Sequence, residues 1–147
     1  MDIFNLKCLA LLVLILQLNT MSSQELNTMS SRELTEFMWK KRILLVMDAK
    51  NDLDTRNLQL NKFNGLHAEM RERDLVLFVY NGKEVLDRDG MITYINPDNI
   101  AYGELQGIIL IGKDGGVKLR KKYTVEANEV FDLIDQMPMR RAEMKNR

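Results

Sequence analysis

The most suggestive spacing in the sequence is that of two glycines followed by a lysine. Gly107, Gly112 and Lys113 lie in GIILIGKDGG, residues 107–116, and match the spacing with which a P-loop binds phosphates. A P-loop places its glycines between a strand and a helix, so that backbone N–H groups face the ligand. Here the residues between the glycines are all aliphatic, and Asp114 replaces the Ser or Thr that would hold magnesium. The stretch therefore predicts a buried strand ending in a β-turn, and no nucleotide site.

The other polar residues give little support for a metal site or a catalytic nucleophile. His67 is the only histidine and lies on the apolar face of a predicted helix, so we interpret it as a buried or half-buried packing residue. The segment DRDGM, residues 87–91, is similar to a calcium loop, but Val85 and Asn96 occupy its first and last ligand positions. The one cysteine is Cys8, and no serine lies in a GxSxG motif. We expect no metal and no cofactor.

Charged residues near two predicted turns are the candidates for a binding site. Arg140 and Arg141 are adjacent just past a predicted helix end, where guanidinium groups can bind a carboxylate, a phosphate or an acidic partner. Lys113 and Asp114 lie in the turn after the aliphatic run. We predict binding at these four residues; the alternative is a solvated surface, because exposed charges usually contribute little.

A second cluster follows the first predicted strand. Asp48, Lys50, Asp52 and Arg56 lie in the first strand-to-helix loop, which is where α/β folds commonly keep their sites. Carboxylates and an arginine there suit an enzyme of non-thiol chemistry, although no spacing among them dictates a reaction.

The elements that must position these residues can be read from the apolar pattern. Continuous apolar runs at 42–49, 74–82 and 107–112 predict strands covered on both faces. The alternation in VKLRKKY, residues 117–123, predicts a half-buried edge strand. Because a helix crosses between the first two strands, they must be parallel. The order of elements predicts a mixed sheet with helices on both faces.

Helices are predicted between these strands and after them. One helix after the first strand presents Phe63, Leu66, His67 and Met70 on one face, begins at Asp52 or Asp54 and contains Gly65. A C-terminal helix presents Val130, Leu133, Ile134 and Met137, with Thr124 as its predicted cap and Pro138 after its end. One short helix is expected somewhere within residues 83–106.

The N-terminal residues predict export. Lys7 precedes the apolar run CLALLVLIL, which is about half as long as the roughly 20 residues of a membrane span. We predict a signal peptide at 1–22, removed in a periplasmic or secreted protein, with an uncleaved anchor as the alternative. Cys8 lies in the removed segment, so the mature chain would carry no thiol.

The remainder of the chain divides by composition. Residues 23–38 form a predicted flexible linker with a duplicated LNTMSS unit, 39–137 a single domain, and 138–147 a basic tail. Lys+Arg and Asp+Glu both number 21 in 147 residues, and this balance argues against a nucleic-acid partner. After processing the chain is not expected to be an integral membrane protein.

Four motifs carry a resemblance to a known family. WKKRILLVMDA, ERDLVLF, IGKDGGVKLR and DLIDQMPMRRAEM, between residues 39 and 144, resemble the DUDES domain, whose small bacterial members are known as domain of unknown function 4174. The resemblance implies a thioredoxin-like, peroxiredoxin-related fold. That fold is a three-layer α/β/α domain with a mixed four-stranded sheet of order 4-3-1-2, its third strand antiparallel to the first.

The resemblance does not extend to redox chemistry. Thioredoxin-like enzymes place a reactive cysteine after the first strand, but the loop at 48–57 contains no sulfur. They also have a cis-proline just before the third strand, where this chain reads ELQG at 104–107. We therefore expect an exported, non-catalytic binding or structural module whose partner is an unknown protein or envelope component. The alternatives are a non-thiol enzyme, a peroxiredoxin-related oxidoreductase in the same fold, and an anchored or cytoplasmic protein that retains Cys8.

Overall fold

A five-stranded mixed sheet organises the part of the chain that the computed structural model describes, residues 33–96 and 105–146. The strands are β1 (Arg42–Asp48), β2 (Leu75–Tyr80), β3 (Val85–Asp87), β4 (Gln106–Ile111) and β5 (Val117–Lys122). Their spatial order is β3-β2-β1-β4-β5. The predicted signal peptide and most of the predicted linker lie outside the described residues.

The strand pairing agrees with the predicted connectivity except at one edge. β1 pairs parallel with β2 and antiparallel with β4, and β4 forms a hairpin with β5. The predicted order 4-3-1-2 corresponds to β5-β4-β1-β2. The predicted count of four strands is wrong, because β3 adds a fifth strand antiparallel to β2. A tight turn makes this possible: the Asn81 side chain accepts the N–H groups of Lys83 and Glu84.

Every residue of β1 is buried, because both faces of the sheet are covered. Alternate residues of the central strands point to two separate apolar clusters. One face carries Leu44, Val46, Ile108 and Leu110, and the opposite face carries Ile43, Leu45, Ile109 and Ile111.

The described helices are α1 (Leu53–Asn61), α2 (His67–Glu72), α3 (Ala127–Gln136) and α4 (Pro138–Lys145), with a 3₁₀ turn at Leu34–Phe37. α1, α2 and α3 contribute to the cluster around Leu44. The opposite cluster is covered by Leu34, Phe37, Ile95 and Leu105. Among the described residues, α-helices therefore cover the first face, and the 3₁₀ turn together with Ile95 and Leu105 covers the second.

The single helix predicted after β1 is in fact two helices. The chain leaves helical geometry between α1 and α2, and Gly65 takes a φ of +78° with open space around it. A positive φ favours glycine, so Gly65 ends a helix turn and does not mark close helix–sheet packing. The predicted burial of His67 is wrong, because its side chain is exposed and Nδ1 lies 3.3 Å from Arg88 Nη1. Phe63 and Met70 are buried as predicted.

The predicted C-terminal helix is present, but it begins later than predicted. α3 buries Val130 and Ile134 as predicted, although it begins after Glu126, not at Thr124. Pro138 follows its end but also begins α4, so the segment predicted as a tail is helical through Lys145.

The sequence predicts one short helix within residues 83–106. The described part of this segment, 83–96, contains β3 and a bridge between Leu86 and Ile92. Residues 97–104 lie outside the description.

Candidate functional site

The loop after β1 is where the sequence resemblance implies a reactive centre. Asp48, the last residue of β1, is fully buried. Its Oδ1 accepts the backbone N–H of Asp52 at 2.7 Å, and its Oδ2 lies 3.3 Å from Nη1 of Arg56 in α1. Because both contacts are local, Asp48 connects the end of β1 to the first turn of α1.

The side chains of the other two predicted residues of this loop do not join the Asp48–Arg56 ion pair, although the backbone N–H of Asp52 does bond to Asp48. Asp52 is exposed and caps α1, since its carboxylate accepts the N–H and the hydroxyl of Thr55. These hydrogen bonds from Thr55 lower the pKa of Asp52, so it is ionised at neutral pH. Lys50 is exposed. The structure therefore brings Asp48 and Arg56 together and leaves Lys50 outside the cluster.

Two polar side chains, one in β4 and one directly after β5, complete the surroundings of the loop. The Tyr123 hydroxyl donates to the carbonyl of Met47 at 2.8 Å, and burial together with the nearby Asp48 carboxylate raises the Tyr123 pKa. With its amide oxygen turned toward the loop, Gln106 accepts the N–H groups of Ala49 and Lys50. The polar groups around the loop thus bond mainly to one another, and no cysteine occurs beyond Cys8 in the sequence.

A second polar cluster lies at the other end of β1. Arg42, only 1% exposed, donates two hydrogen bonds to the carboxylate of Glu143 in α4 and one to the carbonyl of Arg73. The buried Lys113 ammonium contacts Asp74 at 2.8 Å and Glu143 at 2.7 Å. We call this cluster the α4 network; its members are Lys41, Arg42, Glu72, Arg73, Asp74, Lys113, Asp135, Arg140 and Glu143.

The two adjacent arginines predicted as a binding pair differ in exposure, because one is buried and the other is exposed. Arg140 is fully buried within the α4 network, where its guanidinium contacts Asp135, the carboxylate of Glu72 and the carbonyl of Glu72. Arg141, the next residue of α4, is exposed. A residue that is saturated by internal acceptors is poorly placed to bind an external anion, so the two arginines do not form a joint clamp in this structure.

Lys113 and Asp114 also have different surroundings. Lys113 belongs to the α4 network, whereas the exposed Asp114 pairs with Lys118 at 2.6 Å and accepts the N–H of Gly116. Sequence reasoning missed Arg42 and Glu143. One signal was available for Arg42, because it directly precedes the apolar run of β1, and a charge that is buried with such a run requires a partner.

The described residues contain neither a cluster of metal ligands nor a helix that could span a membrane. Across 33–96 and 105–146, no three His, Cys, Asp or Glu side chains approach one another closely enough to hold a metal ion. No helix in those ranges has the length and apolar character needed to cross a bilayer.

The sheet order, the parallel β1–β2 pair and the antiparallel β4 define a thioredoxin-like α/β domain. The structure is similar to that of the mitochondrial 2-Cys peroxiredoxin from Plasmodium falciparum, with a TM-score of 0.50 and 16% sequence identity. The similarity covers 78% of this chain and 84% of the peroxiredoxin chain. At this identity the likeness concerns the fold alone.

Residues 33–143 match the family model described as "Domain of unknown function (DUF4174)", and the chain belongs to this family. The matched region begins before the predicted boundary at residue 39 and extends into α4 as far as Glu143. The α4 network therefore lies inside the family's domain, together with the 3₁₀ turn.

Proposed function

We propose that the protein is an exported, non-catalytic thioredoxin-like module that binds a protein or an envelope component. The observation that carries this proposal is the loop after β1. Where thioredoxin-like enzymes place a thiol, this loop has no sulfur, and the buried Asp48 is engaged with Arg56 and the N–H of Asp52. A scaffold with this loop retains a fold suited to recognition but lacks the nucleophile of its redox relatives.

Export is part of the proposal and rests on the N-terminal sequence. A cationic residue, a short apolar run and small residues before Ser23 are typical of a cleaved signal peptide. Intact-mass measurement of the protein recovered from outside the cytoplasm tests this directly. We expect a mass that lacks residues 1–22 and no reaction with a thiol reagent.

The absence of redox catalysis is tested by peroxide consumption and disulfide reduction. The full chain and its Cys8→Ser variant are compared, with a thioredoxin reductant present. We expect both to be inactive. Turnover of peroxide that Cys8→Ser abolishes would overturn the proposal and favour a peroxiredoxin-related oxidoreductase.

One observation favours a second candidate, an enzyme of non-thiol chemistry at Asp48. Its Oδ2 is buried and accepts no hydrogen bond from the described residues, although Arg56 lies 3.3 Å away. A buried carboxylate oxygen with spare acceptor capacity can serve as a general base. Screening against ester, phosphate and glycoside substrates tests this candidate. Activity that Asp48→Asn removes, without loss of the folded state, would support it over the binding module.

A further inference from the structure

A small pocket opens beside the α4 network, where the end of β4 meets the start of α4. Its volume is about 120 Å³. Its wall combines charged residues with the residues at the start of α4: Arg42, Gly112, Lys113, Asp114, Lys118, Met137, Pro138 and Met139. An engineered protein cavity of roughly 150 Å³ holds a benzene molecule, so this pocket can take a ligand of a few heavy atoms. The pocket lies at the opposite end of β1 from Asp48.

Positive charge predominates in the pocket wall. Arg42, Lys113 and Lys118 contribute three cations, and Asp114 contributes the one carboxylate. That carboxylate is already neutralised by Lys118 and holds the N–H of Gly116. Behind the wall, Glu143 contacts Arg42 and Lys113, and Asp74 contacts Lys113 and Lys41. The α4 network as a whole therefore contains five cations and four carboxylates, which leaves one net positive charge beside the pocket.

A buried donor in the wall also lacks a partner. The Nε of Arg42 is shielded from solvent and finds no hydrogen-bond acceptor within residues 33–96 and 105–146. A buried charged donor without an acceptor is unfavourable, and an oxygen atom supplied by a ligand would satisfy it. The unpaired Nε therefore adds to the preference of this wall for a ligand with acceptor oxygens.

The first turn of α4 adds to the attraction for an anion. Met137, Pro138 and Met139 line the pocket at the N-terminus of this eight-residue helix, and no side chain of the described residues caps it. The free N–H groups and the positive end of the helix dipole favour a negatively charged group there. The same three residues give this side of the pocket an apolar surface.

We infer that this pocket binds a carboxylate carried on a short apolar chain. The oxygens face the basic wall, and the chain packs against the two methionines and Pro138. Such a group is supplied either by a free short-chain carboxylic acid or by the C-terminal residue of a peptide. The inference rests on the proposed binding function and names the ligand class for it.

The experiment is a titration of the isotopically labelled full chain followed by amide chemical shifts. The probes are pentanoate, its neutral analogue pentanamide, and a tetrapeptide that ends in leucine with either a free or an amidated C-terminus. We expect pentanoate to saturate with a Kd on the order of 1 mM, as suits a ligand of this size, and to shift the amides of Gly112 and Met139. Pentanamide should leave these amides unshifted. Tighter binding of the free-ended peptide than of pentanoate would identify a peptide terminus as the source, and weaker binding a free acid.

Two variants locate the binding, each with a matched control. Lys118→Gln removes a wall cation and should weaken pentanoate binding about tenfold, as expected for the loss of a charge-assisted hydrogen bond. Lys121→Gln, on the same strand but outside the pocket, should have no effect. Met139→Glu places a negative charge in the wall and should abolish binding, while Met144→Glu, at a similarly exposed methionine of the same helix, should not.

The results that overturn the inference differ from those that overturn the proposed function. Equal binding of pentanoate and pentanamide, no saturation at about tenfold above the expected Kd, or equal weakening by Lys118→Gln and Lys121→Gln would refute the carboxylate pocket. None of these results bears on the peroxide assay or on the mass of the exported chain. Conversely, peroxide turnover through Cys8 would refute the proposed function and leave the titration unchanged.

Discussion

Arg42 and Glu143 are 101 residues apart in the sequence and form a two-pronged ion pair, with hydrogen bonds of 3.1 and 3.2 Å. Arg42 begins β1, and Glu143 lies in the last two turns of α4. Since Arg42 is 1% exposed, its charge requires this carboxylate for compensation. The pair therefore attaches the C-terminal helix to the centre of the sheet.

Replacing Glu143 with glutamine should destabilise the fold. Glutamine keeps the shape but leaves the buried Arg42 and Lys113 with a neutral partner, so we expect a loss of about 2 kcal/mol in the free energy of unfolding. Urea denaturation measures it. Glu129→Gln is the control, because Glu129 pairs with Lys121 at an exposed position, and it should change stability by less than about 0.5 kcal/mol. Equal effects of the two substitutions would contradict the structural role of the Arg42–Glu143 pair.

Acid should weaken the α4 network. Partial burial acts to raise the pKa of Glu143, but hydrogen bonds from Arg42 and Lys113 outweigh it, so the pKa lies below its ordinary value. The pKa values of Asp74 and Asp135 are lowered in the same way, by lysines and arginines respectively. A carboxyl whose pKa is lowered by folding stabilises the native state above its unfolded pKa of about 4, and this stabilisation is lost as the pH falls through the lowered value.

The corresponding measurement is the melting temperature as a function of pH. We expect little change due to these groups between about pH 7 and 5, followed by a fall below about pH 4. Glu143→Gln should make this acid-side fall shallower, because one of the contributing carboxyls is gone. A wild-type curve and a Glu143→Gln curve that run parallel down to the lowest pH would show that Glu143 is not linked to folding.

Replacing Arg140 should destabilise the fold, whereas replacing the neighbouring Arg141 should leave its stability nearly unchanged. Arg140→Ala removes a buried guanidinium and leaves Asp135 and Glu72 without it, so we expect a loss of about 3 kcal/mol in unfolding free energy. Arg141→Ala should change stability by less than about 0.5 kcal/mol, as is usual for an exposed site. Thermal unfolding of both variants tests this. Similar melting temperatures would mean that Arg140 is not buried in solution.

The sequence predicted those parts of the structure that are encoded by local patterns. The apolar runs of β1, β2 and β4 and the spacing of Val130 and Ile134 are set by the residues of a single element. The strand predicted within the P-loop spacing is confirmed for the same reason, because Ile108–Ile111 lie inside β4. A strand of three residues such as β3 carries too little periodicity to detect, and its position depends on pairing with β2.

The candidate site was harder to predict because its members meet only in three dimensions. The sequence predicts Arg140 as a binding residue just past a helix end, but its burial against Asp135 and Glu72 depends on how α4 returns to the sheet. Glu143 carries no local signal, since its partners Arg42 and Lys113 are 101 and 30 residues away. The order of the strands could be expected from a family resemblance, whereas the ion pairs between elements could not.

The hairpin of β4 and β5 depends on the absence of a side chain at Gly107. A Cβ atom at this position would lie 2.1 Å from the carbonyl oxygen of Lys121 and 2.8 Å from Cα of Lys122, both backbone atoms that cannot rotate away. Gly107→Ala should therefore push β5 away from β4 and lower the unfolding free energy by about 3 kcal/mol, at the upper end for overpacking.

The control for Gly107→Ala is Gly90→Ala, which separates steric conflict from backbone conformation. Gly90 has open space around it but a φ of +83°, so alanine there should cost only about 1 kcal/mol through left-handed strain. Denaturant unfolding monitored at Trp39 gives both values, and amide exchange across Val117–Lys122 shows whether the β5 pairing is the part that loosens. If Gly107→Ala proved no more costly than Gly90→Ala, with unchanged protection in β5, the close approach of the two backbones at Gly107 would be refuted.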